Sequence, residues 1–438
     1  FDSVLAPGKR APGVLVKEQE YLNGSFGSFD EIVASFLAGS AAPSAACLAV
    51  AGPVERNAVR FTNRNWVIDG SKLEGKFRIA KVRLVNDFVA NGYGLLTLDE
   101  ASECVTLQDA PKVAGAPMAS IGAGTGLGEC YSTATDEGSP YETYASEGGH
   151  GDWAPRNALE VELHEFMKAK FDQKARVSVE RVISGPGLAT MYEFFSSRFP
   201  DKVVAEVHDE IAAAGEMKGK AIAQHSVKGN GAFCELCKLT METFATAYGA
   251  EAGVAALKWI PLGGLYITGG LTPKNLSLLK GEKSLFMQAF RDKGRLSPLL
   301  KRVPVYAVLA EDIGQRGAHL VAFRLLIQAQ EARAHSAQEF DVIKHGLPWK
   351  GSYPRKLVVS PAEIITKDPS GAVTNRWSKD AFSDATVVES ADEADARLVV
   401  QMLGAAHFWG LFGGGIDLTF SAVDQEQRSQ ILKALLQG

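Results

Sequence analysis

Val82-Arg83-Leu84-Val85-Asn86-Asp87-Phe88 is the stretch on which the fold turns. The apolar run Val82–Val85 predicts a strand, and Asn86-Asp87 ends it where a helix begins near Phe88. A carboxylate at the C-terminal end of a strand is where open α/β sheets place their ligands. Taken alone, Asp87 reads equally well as a cap for the helix that follows. Upstream, Gly13–Val16 and Ala46–Ala51 read as strands with a helix at Phe29–Leu37 between them. Strand and helix in turn argue for an α/β sheet with crossover helices.

Downstream, tandem strands around Ala119–Cys130 are broken by glycines, and amphipathic helices follow at Ala158–Phe171 and Gly231–Tyr248. A strand at Gly264–Ile267 ends in Gly269-Gly270, and Val303–Val308 leads through Gly314 and Gly317 into a helix at His319–Gln328. From about Ala329 the character changes. The stretch to Ser352 is charged and helix-prone, Lys356–Ser360 reads as a strand, Pro369-Ser370-Gly371 as a loop, and Ala394–Phe408 and Asp424–Leu436 as helices.

With 438 residues the chain exceeds one ordinary hydrophobic core, so two or three domains are expected. Its 46 Lys and Arg against 51 Asp and Glu give a net charge of -5, with no basic block to attract nucleic acid. No apolar stretch reaches the roughly 18 residues of a membrane helix. Five cysteines form no disulfide framework and point to a reducing compartment. Cys234 and Cys237 are spaced C-x-x-C without a second pair, which favours a buried helical face over zinc. A soluble protein with a small-molecule ligand fits these numbers.

Three further motifs carry chemistry. Glu147-Gly148-Gly149-His150 holds a carboxylate and an imidazole three positions apart, with glycines that let backbone approach a ligand. Glu180 lies in a segment ending Ser184-Gly185-Pro186-Gly187. A sugar is a ring of hydroxyls, each donor and acceptor, and Asn86, Asp87, Glu147, His150 and Glu180 are the residue types that hold one. Ile121-Gly122-Ala123-Gly124-Thr125-Gly126-Leu127-Gly128 fails both the dinucleotide fingerprint and the P-loop pattern. It still suits a hairpin whose backbone N–H groups and Thr125 hydroxyl face a phosphate, as well as a purely structural hairpin. The glycines at 263–264 and 269–270 would let a flat adenine lie against backbone, or make two ordinary turns.

As a set, Leu84–Phe88, Gly122–Gly128, Ser146–His150, Glu180–Gly187 and Thr268-Gly269-Gly270 resemble the bacterial-type ATP-dependent glucokinases of the hexokinase superfamily. Order and spacing match from about Gly13 to Leu326; Thr62–Trp66 and Glu311–His319 also look like that family's segments. The resemblance implies an actin-like, ribonuclease-H-like α/β fold in two lobes that close over glucose. The small lobe would be residues 1–115 completed by 302–330, the large lobe 116–301, and 331–438 a small α/β extension of unassigned role. Asp87 is then the base for the sugar 6-hydroxyl, and Asn86, Glu147, His150 and Glu180 hold the other hydroxyls. Gly122, Gly124, Thr125 and Gly126 face the γ-phosphate, and Gly269 and Gly270 lie near adenosine. The cofactors implied are ATP and the Mg²⁺ it carries, with no metal site of the protein's own. An unperturbed Asp has a pKa near ~3.9, so Asp87 is expected to be ionised at neutral pH.

The family also opens with an Asp-x-Gly-Gly-Thr phosphate loop, and nothing like it precedes Gly13. The expectation is that it lies upstream of Phe1 or has been lost. A second reading follows, in which the chain is a glucose-binding or structural subunit of a larger assembly. Residues 331–438 are the candidate surface for a homodimer or such an assembly. The cytoplasm is the expected compartment, or an organelle if a targeting segment precedes Phe1.

Overall fold

The computed structural model describes residues 8–61, 65–136, 138–172, 175–229, 231–281, 283–335, 338–345, 352–360, 363–378, 382–388, 397–402, 416–421 and 425–436. The chain divides into two compact units between Leu326 and Ile327.

In the first unit, β1 (Ala45–Val50) pairs in parallel with β4 (Lys81–Asn86), and β2 (Ala58–Arg60) pairs with β3 (Val67–Asp69) antiparallel. The crossover from β1 to β4 carries the helix Gly70–Phe77, capped by the Asp69 carboxylate. Val50, Val59, Ile68, Leu73, Val82 and Leu84 form its core. A second sheet has the order β5 (Cys104–Gln108), β10 (Val305–Val308), β9 (Gly264–Thr268), β6 (Met118–Ala123), β7 (Leu127–Thr133) and β8 (Glu142–Ser146). Strands β6, β9 and β10 run parallel, while β6, β7 and β8 form an antiparallel meander. Every residue of β6 and β9 is buried, as expected of central strands covered on both faces.

The helices Ala158–Lys170, Gly185–Arg198 and Glu235–Trp259 pack into the largest core around this sheet. Cys234 and Cys237 are free and fully buried at the start of the last of these, as a helical core face requires. That helix runs eleven residues beyond Tyr248. Its glycines are packing glycines: a Cβ on Gly249 would lie 2.0 Å from the Phe286 carbonyl oxygen.

Gly13–Val16 is not a strand. Val14, Leu15 and Val16 are 87%, 76% and 94% exposed, and among the described residues no strand pairs with them to take up their backbone hydrogen bonds.

The second unit is built on seven antiparallel strands in the order β14 (Val373–Ser378), β13 (Glu363–Lys367), β12 (Ser352–Val359), β11 (Gln338–His345), β17 (Ile416–Ser421), β16 (Arg397–Met402) and β15 (Phe382–Val388). A helix at Gln425–Leu436 buries Ile431 and Leu435. Two helical expectations fail here. The stretch after Ala329 is helical only to His335; Phe340 and Val342 then alternate inward against Glu339 and Asp341, which is strand periodicity. Within Ala394–Phe408, Arg397–Met402 is a strand paired on both sides, its Leu398-Val399-Val400 run suiting a sheet, and the remaining positions lie outside the described residues.

Candidate active site

Strand β4 delivers Asn86-Asp87 directly into the helix Asp87–Leu95. Asn86 is the N-cap: its Oδ1 accepts from the Phe88 and Val89 N–H groups at 2.8 and 3.3 Å, and its Nδ2 donates to the Gly52 carbonyl at 3.3 Å. With the capping done by Asn86, the Asp87 carboxylate accepts from Phe88 N–H at 3.0 Å. Burial pushes the Asp87 carboxyl above its ordinary value, and hydrogen bonds from backbone and Asn86 oppose the rise without cancelling it. The carboxylate lines a cavity of about 510 Å³ with Ala49, Glu311, Asp312, Gly314, Gln315 and Ala318. Glu311, Asp312 and Gln315 lie in the Glu311–His319 segment that the resemblance covers, although no site role was expected of them. Glu311 and Asp312 lie between β10 and the helix Ile313–His335, and Gln315 is in that helix's first turn.

That helix and the Asp87 helix cross at backbone contact. A Cβ on Gly317 would lie 1.7 Å from the Ala90 carbonyl oxygen, and one on Gly94 would lie 1.9 Å from that of Ile313. Arg316 then ties the junction. It donates to Glu103 at 2.7 and 3.0 Å and sits 2.7 Å from Asp312, holding the Glu103 carboxyl down at about 2.

The glycine-rich segment is the turn between β6 and β7, with Gly122 opposite Gly128 and Ala123 opposite Leu127. Its glycines do different things. Gly128 and Gly122 make room for the Phe88 ring, where a Cβ would fall 2.0 and 2.8 Å from ring carbons. Gly126 makes room for Glu180, whose Oε2 would meet its Cβ at 2.4 Å and which accepts from Leu127 N–H at 3.0 Å. Gly124 has open space where a Cβ would go, and Thr125 beside it is exposed at the tip.

The other motifs gather on this tip. Gly149 abuts the Leu127 carbonyl, where a Cβ would lie at 2.1 Å, so the Glu147–His150 turn seats against the hairpin. His150 Nε2 and Glu147 Oε2 are 3.8 Å apart and both side chains are largely exposed. Arg176 donates to the His150 carbonyl at 2.7 Å, and Val179 N–H donates to the Gly151 carbonyl at 2.9 Å, fastening this turn to the Glu180 segment. Gly185 N–H donates to the Gly124 carbonyl at 2.8 Å, at the start of the helix Gly185–Arg198. Gly269, at φ +80, abuts Ala123 on the opposite flank, and Gly270 beside it has open space. The expected residues thus meet around one hairpin, although of the sugar set only Asp87 lines the cavity described above. Of the Thr62–Trp66 segment, Thr62–Arg64 lie outside the described residues, and Trp66 donates to the Gly27 carbonyl at 2.9 Å.

Superposition on a solved glucokinase assigns this α/β arrangement to the actin-like fold of the sugar kinases. Residues 4–325 match the family model described as Glucokinase. A glucokinase of a Synechocystis species is 40% identical over 333 residues, covering 72% of this chain and 91% of that protein. One of a Nostoc species is 40% identical over 326 residues, covering 71% and 92%. A crystal structure of a glucokinase from an Antarctic psychrotroph superposes with a TM-score of 0.54 at 30% identity, covering 69% of this chain and 88% of that one. The chain belongs to the glucokinase family. No helix among the described residues is long and apolar enough to cross a membrane.

Proposed function

We propose that this chain transfers the γ-phosphoryl group of ATP to the 6-hydroxyl of glucose, with Asp87 as general base. The observation that carries the reading is the meeting of Phe88, Glu180, the Glu147–His150 turn and Gly269 on one hairpin tip, with the exposed Asp87 carboxylate one residue before Phe88. In the reaction the 6-oxygen bonds to the γ-phosphorus as the bond to the β,γ-bridging oxygen breaks. The hydroxyl proton passes to an Asp87 oxygen, and ADP leaves with the bridging electrons. The raised affinity of Asp87 for a proton makes it a better base than a solvated carboxylate.

Asn86, Glu147, His150 and Glu180 supply acceptors and donors for the remaining hydroxyls. The Asn86 oxygen is engaged as a helix cap and its amide donates to the Gly52 carbonyl, so a sugar hydroxyl would share that amide. Gly124 and Gly270 are the glycines with free space beside them, so they suit the approach of phosphate and adenosine better than Gly122, Gly126 or Gly269, which are filled by protein. ATP supplies the phosphoryl group together with Mg²⁺, which neutralises its charge. Positioning and charge neutralisation then account for most of the rate.

The test is direct: the purified chain, glucose, ATP and Mg²⁺, with glucose 6-phosphate read by a coupled dehydrogenase. Turnover that depends on all three supports the reading. Glucose binding by calorimetry without turnover would favour a binding subunit instead.

A further inference from the structure

Glu129, one residue past the glycine-rich turn, is fully buried, and neither carboxylate oxygen has a hydrogen-bond partner among the described residues. Its place in β7 is opposite Ile121 on one side and Ser146 on the other. The side chain reaches Gly148: a Cβ there would lie 1.9 Å from Glu129 Oε2. The carboxyl therefore sits directly beneath the turn that presents Glu147 and His150. Leaving buried polar atoms unsatisfied is costly, a penalty a hydrocarbon side chain of similar size would remove.

We infer that Glu129 is a positioning residue for the sugar turn, a neutral acid whose free hydroxyl and carbonyl take up hydrogen bonds to the 147–150 backbone when glucose seats Glu147 and His150. The inference rests on those two residues holding glucose.

Charge around the group is consistent with a neutral form. The long helix Glu235–Trp259 brings Glu251, Lys258 and Tyr248 toward it; Lys293 in turn faces Glu251; Cys130 is its strand neighbour. Burial pushes the Glu129 carboxyl up to about 8, with Glu251 adding to the rise and Lys258 opposing it. A group raised in this way is protonated, and its contribution intact, at lower pH, and the contribution is lost as pH rises through that value. Ionisation would place an unpaired charge under the turn and draw water or Lys258 into it.

The experiment compares the full chain with its Glu129→Gln, Glu129→Leu and Glu147→Ala variants, measuring kcat and glucose KM from pH 6.5 to 9.5 alongside thermal unfolding. The amide keeps a donor and an acceptor and cannot ionise. Wild-type KM should rise about fivefold above pH 8 at steady kcat, and Glu129→Gln should remove that rise. Glu129→Leu should raise KM about fivefold at pH 7, with kcat within twofold and unchanged or higher stability, because the orphaned groups are gone. A Glu129→Gln profile that overlays wild type, or a wild-type KM in Glu129→Leu, overturns the inference. Should Glu147→Ala leave KM unchanged, the sugar assignment itself fails, which separates the two outcomes.

Discussion

Gly317→Ala puts a methyl group at the contact between the Asp87 helix, whose carboxylate is the proposed base, and the helix Ile313–His335. The new Cβ would lie 1.7 Å from the Ala90 carbonyl oxygen and 2.6 Å from Gly94 N, both backbone atoms of the Asp87 helix. Ordinary contact begins near 3.4 Å, so the two helices must part by about 1.5 Å, and no side chain can rotate away to spare them. Overpacking of this kind costs about 1–3 kcal/mol, and the rigidity of both partners places the cost at the upper end, about 3 kcal/mol. The same displacement moves Asp87, at the N-terminus of the shifted helix, and a misplacement of about 1 Å costs on the order of 10²-fold in rate. Urea unfolding gives the stability and a coupled assay gives kcat. Gly314→Ala is the control: it lies one turn earlier with open space at the Cβ position, and should be neutral or stabilising by up to about 1 kcal/mol. Equal stability and equal kcat in Gly317→Ala and Gly314→Ala would refute the argument.

Three further outcomes follow from the same geometry. Gly126→Ala drives a Cβ into Glu180, and should raise glucose KM about tenfold or more, whereas Gly124→Ala should leave glucose KM near wild type; steady-state kinetics in both variants decides it. Because burial raises the Asp87 pKa and the ionised form is the active one, kcat/KM should fall with decreasing pH along a limb that lies above the ordinary Asp value of ~3.9; a limb at or below that value contradicts the burial argument. Glu103, held at about 2 by Arg316, stabilises the fold above its ordinary value of 4.5 and loses that contribution as pH falls through about 2; Glu103→Gln should cost about 1.5–3 kcal/mol at pH 7 by urea unfolding and show a shallower acid decline.

Much of the site was legible because its chemistry travels in short contiguous segments. Val82–Asp87 announced a strand ending in a carboxylate, and alternating glycines around Thr125 announced a hairpin; both are where they were expected. What each glycine does was not legible. Whether a missing Cβ makes room for Phe88, for Glu180 or for a ligand depends on contacts between residues distant in sequence. The helix Gly185–Arg198 was hidden by Gly-Pro-Gly, which signals a turn, although Ser184 caps it and proline is favoured in a first helical turn. The upward shifts of Asp87 and Glu129 were equally out of reach, since desolvation is a property of the packed fold. In the second unit local helix propensity misled because sheet pairing on both sides of Arg397–Met402 outweighs it.

Asp87→Asn tests the central claim most directly. The amide keeps the shape of the cavity wall but cannot accept the 6-hydroxyl proton. The account predicts a kcat lowered by about 10² to 10⁴, with glucose affinity by calorimetry within a few-fold of wild type. A kcat within about threefold of wild type would contradict it, because phosphoryl transfer would then proceed without the base on which the site is built.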